Sequence, residues 1–119
     1  MIFHEYLENL RISKELGMRE LAHKIGMDVG NYSRLERGIT SPPNKDEFYN
    51  KVSDNLNLGE DESLKLRELA ELSKGKIPKD IVNEVKQYEY LPVLLRTIAN
   101  KQLTDEQLKE LTERINKEE

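Results

Sequence analysis

The stretch MDVGNYSRLERG, Met27 to Gly38, sets two arginines and a hydroxyl at helical spacing. Each residue of a helix turns about 100°. With Tyr32 and Leu35 facing the protein, the opposite side carries Gly30, Ser33, Arg34 and Arg37. That side holds two permanent positive charges, a hydroxyl and no carboxylate. Such a face suits the edge and backbone of double-stranded DNA. Asp28 reads as the N-cap, with its carboxylate accepting from first-turn amides. Gly38 reads as the left-handed residue that ends the helix. Gly30 conflicts with propensity, because glycine in a helix interior costs about 1 kcal/mol against alanine. On this face a missing side chain lets the backbone approach a base edge or phosphate closely, and Gly30 itself then reads nothing.

Other chemistry is sparse. The chain has no cysteine, which excludes disulfides and thiolate metal sites. His4 and His23 are far apart and show no HExxH spacing, so no zinc site is expected. No phosphate-binding glycine loop and no nucleophile motif occurs, and the acidic pairs fall on exposed helical faces. The expectation is a protein that is not an enzyme and takes no cofactor or metal.

Bulk composition fits that reading. The 119 residues suggest one small domain with an appendage, 36% hydrophobic and 35% charged. Net charge is −4, which alone argues mildly against nucleic acid. The charge is uneven, however. Up to Ser41, the bases Arg11, Lys14, Arg19, Lys24, Arg34 and Arg37 are balanced by Glu5, Glu8, Glu15, Glu20, Asp28 and Glu36, so the rest of the chain carries the whole deficit. Lys14 and Lys24 read as solvated. No apolar run approaches the roughly 20 residues of a membrane span. The opening MIFHEYLENL has no basic leader, so a cytoplasmic protein without a membrane partner is expected.

The elements that must position the arginine face are all helical. Phe3 to Glu15 carries a stripe of Phe3, Leu7 and Leu10. Met18 to Ile25 follows, with Leu21, Ala22 and Ile25 on one face and Gly26 as the stop. Asp28 to Arg37 is the third helix. GITSPPN is a loop. Asn44 with Glu47 reads as a helix start, followed by Phe48, Val52 and Leu56, with Gly59 as the end. Glu60 to Ser73 is a fifth helix bearing Leu66, Leu69, Ala70 and Leu72. SKGKIPKD is a hinge. Beyond it, Pro78 suits a first helical turn before Ile81, Val82 and Val85. LPVLLRTIANK is the most apolar window. TDEQ fits a capping box before a last helix with Leu108, Leu111 and Ile115.

Helix, glycine turn, helix at Met18 to Arg37 is the layout of a helix-turn-helix. The stretch LGMRELAHKIGMDVGNYSRLERGITSPP resembles the Cro/C1-type (XRE-like) helix-turn-helix family of phage repressors and small bacterial regulators. Leu21-Ala22, Gly26, Leu35-Glu36-Arg37-Gly38 and Ser41-Pro42 carry the likeness. It runs from about Phe3 to Ser73 and implies an all-α, five-helix lambda-repressor-like domain over residues 1–73; the helical pattern beyond it reads as a small helical extension over 74–119. It further implies DNA binding as a homodimer with the third helix in the major groove. Carried over residue by residue, the base-reading positions are Asp28, Val29, Gly30, Ser33 and Arg34, with Asp28 more a cap than a reader. Phosphate contacts fall to the amides of Met18 and Arg19 and to Asn31, Arg37, Thr40 and Ser41. Family members carry a polar cap and a glutamine where this chain has Gly17 and Met18. The expectation is that one side-chain phosphate contact is missing, with Arg19 in its place. The resemblance also implies an ion pair between Arg11 and Glu36.

The amphipathic stretch with Leu91, Val93, Leu94, Leu95, Ile98, Leu108, Leu111 and Ile115 has three readings. It supplies the dimer, it packs back onto the fifth helix, or it binds another protein. For the last, chains of this build loosely resemble antitoxin-type regulators paired with a toxin or a metallopeptidase. The leading expectation is a repressor on a palindromic operator, and the alternative is an autoregulating antitoxin.

Overall fold

The computed structural model describes residues 1–118. The described residues are all-α. The helices are α1 Phe3–Ser13, α2 Met18–Ile25, α3 Val29–Glu36, α4 Asp46–Asn55, α5 Glu60–Ser73, α6 Val82–Val85, α7 Leu91–Lys101 and α8 Asp105–Lys117. The chain divides into two compact units, Met1–Lys79 and one that begins at Asp80.

The first unit is built on one core. Phe3, Leu7 and Leu10 of α1 meet Leu21, Ala22 and Ile25 of α2, Tyr32 and Leu35 of α3, Phe48, Tyr49 and Val52 of α4 with Leu56 beyond it, and Leu66 and Ala70 of α5. Each large apolar side chain buried this way contributes about 1.5–3 kcal/mol. Helix α2 packs on α3 and α4, α1 on α3 and α5, and α4 on α5. The short α3 is thereby clamped between α1 and α2. Ala22 is fully buried in α2, so a small residue stands where these helices crowd.

Several boundaries differ from the periodicity reading. Helix α1 ends at Ser13, and Glu15 beyond it takes a left-handed φ of 59°. Gly59 does not end α4. Leu56 caps that helix, Asn57 turns left-handed at φ 50°, and Gly59 is the N-cap of α5. Asn44 does not start α4 either. Lys45 is the N-cap and makes no side-chain cap bond, while the Asn44 side chain accepts from Lys74 Nζ at 2.6 Å. Leu72 leaves the α5 stripe and is 69% exposed.

Pro78, near the end of the first unit, lies outside any helix, because α6 of the second unit starts only at Val82. Tyr90 precedes α7, and Pro92 occupies its first turn, where a missing N–H costs nothing. Thr104 caps α8: its hydroxyl accepts from the Gln107 amide at 3.2 Å and its own amide donates to Gln107 Oε1 at 2.9 Å. No described residue of this unit is buried. Leu91, Ile98, Leu103, Leu108 and Leu111 are half-buried, whereas Val93, Leu94, Leu95 and Ile115 are exposed.

Candidate nucleic-acid interface

Two left-handed glycines bracket the helix that carries the arginines. Gly26, at φ 73°, closes α2, and its geometry lets the chain reverse into Met27 and Asp28. Met27 is half-buried against the core in the angle between the helices. Asp28 Oδ2 accepts from the Asn31 amide at 3.1 Å, capping α3. Gly38, at φ 75°, follows the last turn, and its amide donates to the Leu35 carbonyl.

Between those ends α3 has two sides. Tyr32, Leu35 and Glu36 are buried. Asn31, Arg34 and Arg37 are exposed, and Val29, Gly30 and Ser33 half-exposed. Arg34 is not free in solution. Its Nη2 donates to Asn31 Oδ1, and its guanidinium lies over Gly30. A β-carbon at Gly30 would sit 3.0 Å from the Asp28 cap oxygen and 3.7 Å from Arg34 Nη1. The glycine therefore makes room for two neighbours of its own helix, beside any room it leaves for a ligand. Arg37 reaches back to the Ser33 carbonyl at 3.4 Å.

The buried side is fixed by charge as well as packing. Glu36 is 2% exposed and pairs with Arg11, whose side chain is 12% exposed. Arg11 Nε donates to both carboxylate oxygens at 3.1 and 2.9 Å, Nη2 donates to Oε1 at 2.6 Å, and Nη1 donates to the Leu16 carbonyl at 2.8 Å. One guanidinium thus ties α1, the α1–α2 turn and α3 together. These hydrogen bonds hold the Arg11 pKa above the ordinary arginine value, against a smaller opposing effect of burial. The adjacent Tyr32 hydroxyl is buried and makes no hydrogen bond among the described residues. Burial is the main cause that pushes its pKa far up, and interaction with the Glu36 carboxylate beside it adds to the rise.

The remaining sequence-derived positions lie around this helix. Gly17 is the N-cap of α2 and offers no side-chain cap, which leaves first-turn amides at Met18 and Arg19 open. Thr40 and Ser41 are exposed in the loop after Gly38, and Pro42 is buried. That loop is pinned by residues the sequence reading missed. Tyr49 Oη donates to the Pro43 carbonyl at 2.6 Å, and Lys74 Nζ donates to the same oxygen at 3.2 Å. No local pattern marks these partners, which come from α4 and from the end of α5. Among the described residues no cluster of three or more His, Cys, Asp or Glu could hold a metal. Among the described residues no helix is long and apolar enough to cross a membrane.

No family model matches the sequence, and no curated protein matches it. Among solved structures, that of a SinR protein/SinI protein complex is 18% identical over 97% of this chain and 95% of the matched one, with a TM-score of 0.48. At that distance the likeness transfers no property to this chain.

Proposed function

We propose that this chain is a sequence-specific DNA-binding transcriptional regulator, a repressor that occupies a palindromic operator as a homodimer and does no chemistry. The observation that carries the reading is the outer face of α3. Arg34 and Arg37 are exposed there with Ser33 and Gly30, and the helix behind them is locked by the Arg11–Glu36 pair. A rigid, short helix with a basic outer face fits the major groove. In this mode Val29 meets a thymine methyl, Ser33 and Arg34 address base edges, and Asp28 serves as cap. Arg19, Asn31, Arg37, Thr40, Ser41 and the amide of Met18 address phosphates.

The second unit supports the dimeric part of the reading. Val93, Leu94, Leu95 and Ile115 are exposed apolar residues on α7 and α8. Apolar surface of this kind gains free energy when covered. A second copy of the chain is the proposed cover, which would space two α3 helices about 34 Å apart on one face of DNA. The same exposed residues favour the runner-up, in which they hold a toxin or metallopeptidase and DNA binding is autoregulation.

Selection of bound duplexes from a random pool tests both. The expected product is a palindrome with half-sites about one helical turn apart. Recovery of no enriched sequence at low salt would remove the DNA reading. An enriched single half-site would remove the homodimer.

A further inference from the structure

We propose that a phosphate of the DNA backbone seats in a polar concavity at the exit of α3, with His4 of α1 as a direct hydrogen-bond donor to it. The inference rests on the DNA-binding reading and adds a contact from outside the helix-turn-helix. The concavity measures about 190 Å³. His4, Thr40, Ser41 and Ser73 are its polar lining, with Gly38 and Pro42 beside them. No carboxylate lines it, in a chain with 23 acidic residues. None of the four polar side chains has a hydrogen-bond or ion-pair partner among the described residues.

The ring of His4 is held in place by a glycine. A β-carbon on Gly38 would lie 2.6 Å from His4 Cδ2 and 2.7 Å from Nε2. The imidazole thus lies directly against the Gly38 backbone, at the point where the chain leaves α3. Gly38 is required twice there, for its φ of 75° and for this contact. Imidazole and hydroxyl groups can all donate, while a phosphate oxygen only accepts. A donor-lined hollow without an acid suits an anion and repels no phosphate. Arg37 and Lys74, the chain neighbours of Gly38 and Ser73, add positive potential. Thr40 and Ser41 share the hollow with His4, so one phosphate can meet all three.

Free inorganic phosphate has the same chemistry, and the experiment separates the two sources. Fluorescence anisotropy of the full chain is measured at fixed salt with a duplex selected from the random pool and with an unrelated duplex. His4→Phe keeps a flat ring for Gly38 and removes the donor. The expected result is binding about tenfold weaker to both duplexes, as a contact to backbone rather than base requires. Thr40→Val, an exposed change, weakens both in the same direction with an unchanged melting temperature. The His4 ring protons are followed by NMR, and a shift on adding duplex but not inorganic phosphate supports the DNA source. Wild-type affinity in both variants overturns the inference while leaving the DNA reading intact. A ring response to inorganic phosphate with duplex binding unchanged in both variants also overturns it. Failure of the wild-type chain to bind either duplex removes the DNA reading and this contact with it.

Discussion

The Glu36 carboxylate is enclosed by the protein and takes three hydrogen bonds from Arg11, 2.6–3.1 Å long. A buried pair of this kind adds little net stability when whole, but breaking it is costly because a charge is left without compensation. Arg11→Met is expected to destabilise the first unit by about 3–5 kcal/mol. Urea unfolding measures this. The double variant Arg11→Met, Glu36→Met should recover much of the loss, giving a large coupling energy. Additive losses would mean that the two side chains act separately.

Tyr32 offers the opposite experiment. Its hydroxyl is buried and unpartnered, so it pays desolvation without return. Tyr32→Phe is expected to leave stability unchanged or raise it by about 1 kcal/mol. A loss of more than that in thermal unfolding would reveal a partner for the hydroxyl.

The tyrosines also set the alkaline limit. Burial is the main cause that pushes Tyr49 up to about 12, and it pushes Tyr32 higher. A folded-state pKa above the unfolded value of 10.0 gives stability that is present below that value. As pH rises past it, the unfolded chain ionises first and folding loses ground. The unfolding free energy from urea titrations should therefore fall between pH 10 and 12, by up to about 1.4 kcal/mol per pH unit for each tyrosine. Tyr49→Phe should flatten that slope. A slope equal to that of the wild type would assign the transition to other groups.

Gly30 is predicted to matter more for recognition than for folding. Its β-carbon would press on the Asp28 cap and the Arg34 guanidinium. A replacement gains up to about 1 kcal/mol of helix propensity and risks a similar amount of capping energy. Gly30→Gln should melt within a few degrees of the wild type, yet bind its selected duplex about tenfold more weakly, because Arg34 is displaced. Arg34→Ala should cost about 1–3 kcal/mol of binding and relax preference at one base pair. Unchanged affinity in Gly30→Gln would make the glycine merely tolerated.

Leu95 on α7 is 54% exposed. Leu95→Glu is expected to leave the unfolding of the first unit alone and to shift the chain toward monomer in sedimentation. Operator affinity should fall at least tenfold when the second half-site is lost. Retention of the dimer would move the interface elsewhere.

What the sequence discloses follows the range of the forces involved. The Asp28 cap and the Gly26 and Gly38 exits are set within a few residues, so residue type alone announces them. The division of α3 into an inner and an outer side follows from helical period and the position of Tyr32 and Leu35. The start of α4 escaped because Asn44 is engaged by Lys74 from the end of α5, a tertiary partner that outbids capping. The His4 contact with Gly38 escaped for the same reason: α1 and α3 meet only in three dimensions. Leu72 misled because it stands two residues past the buried Ala70, about 200° around α5 and so on its opposite side.

The two left-handed glycines have one more consequence. They fix α3 at eight residues, which is about 12 Å of helix. DNA rises about 3.4 Å per base pair, so this ruler spans a word of only three or four letters. A word that short recurs throughout any genome. On the proposed DNA-binding reading, selectivity would then come from the distance between two such words, set by geometry outside α3.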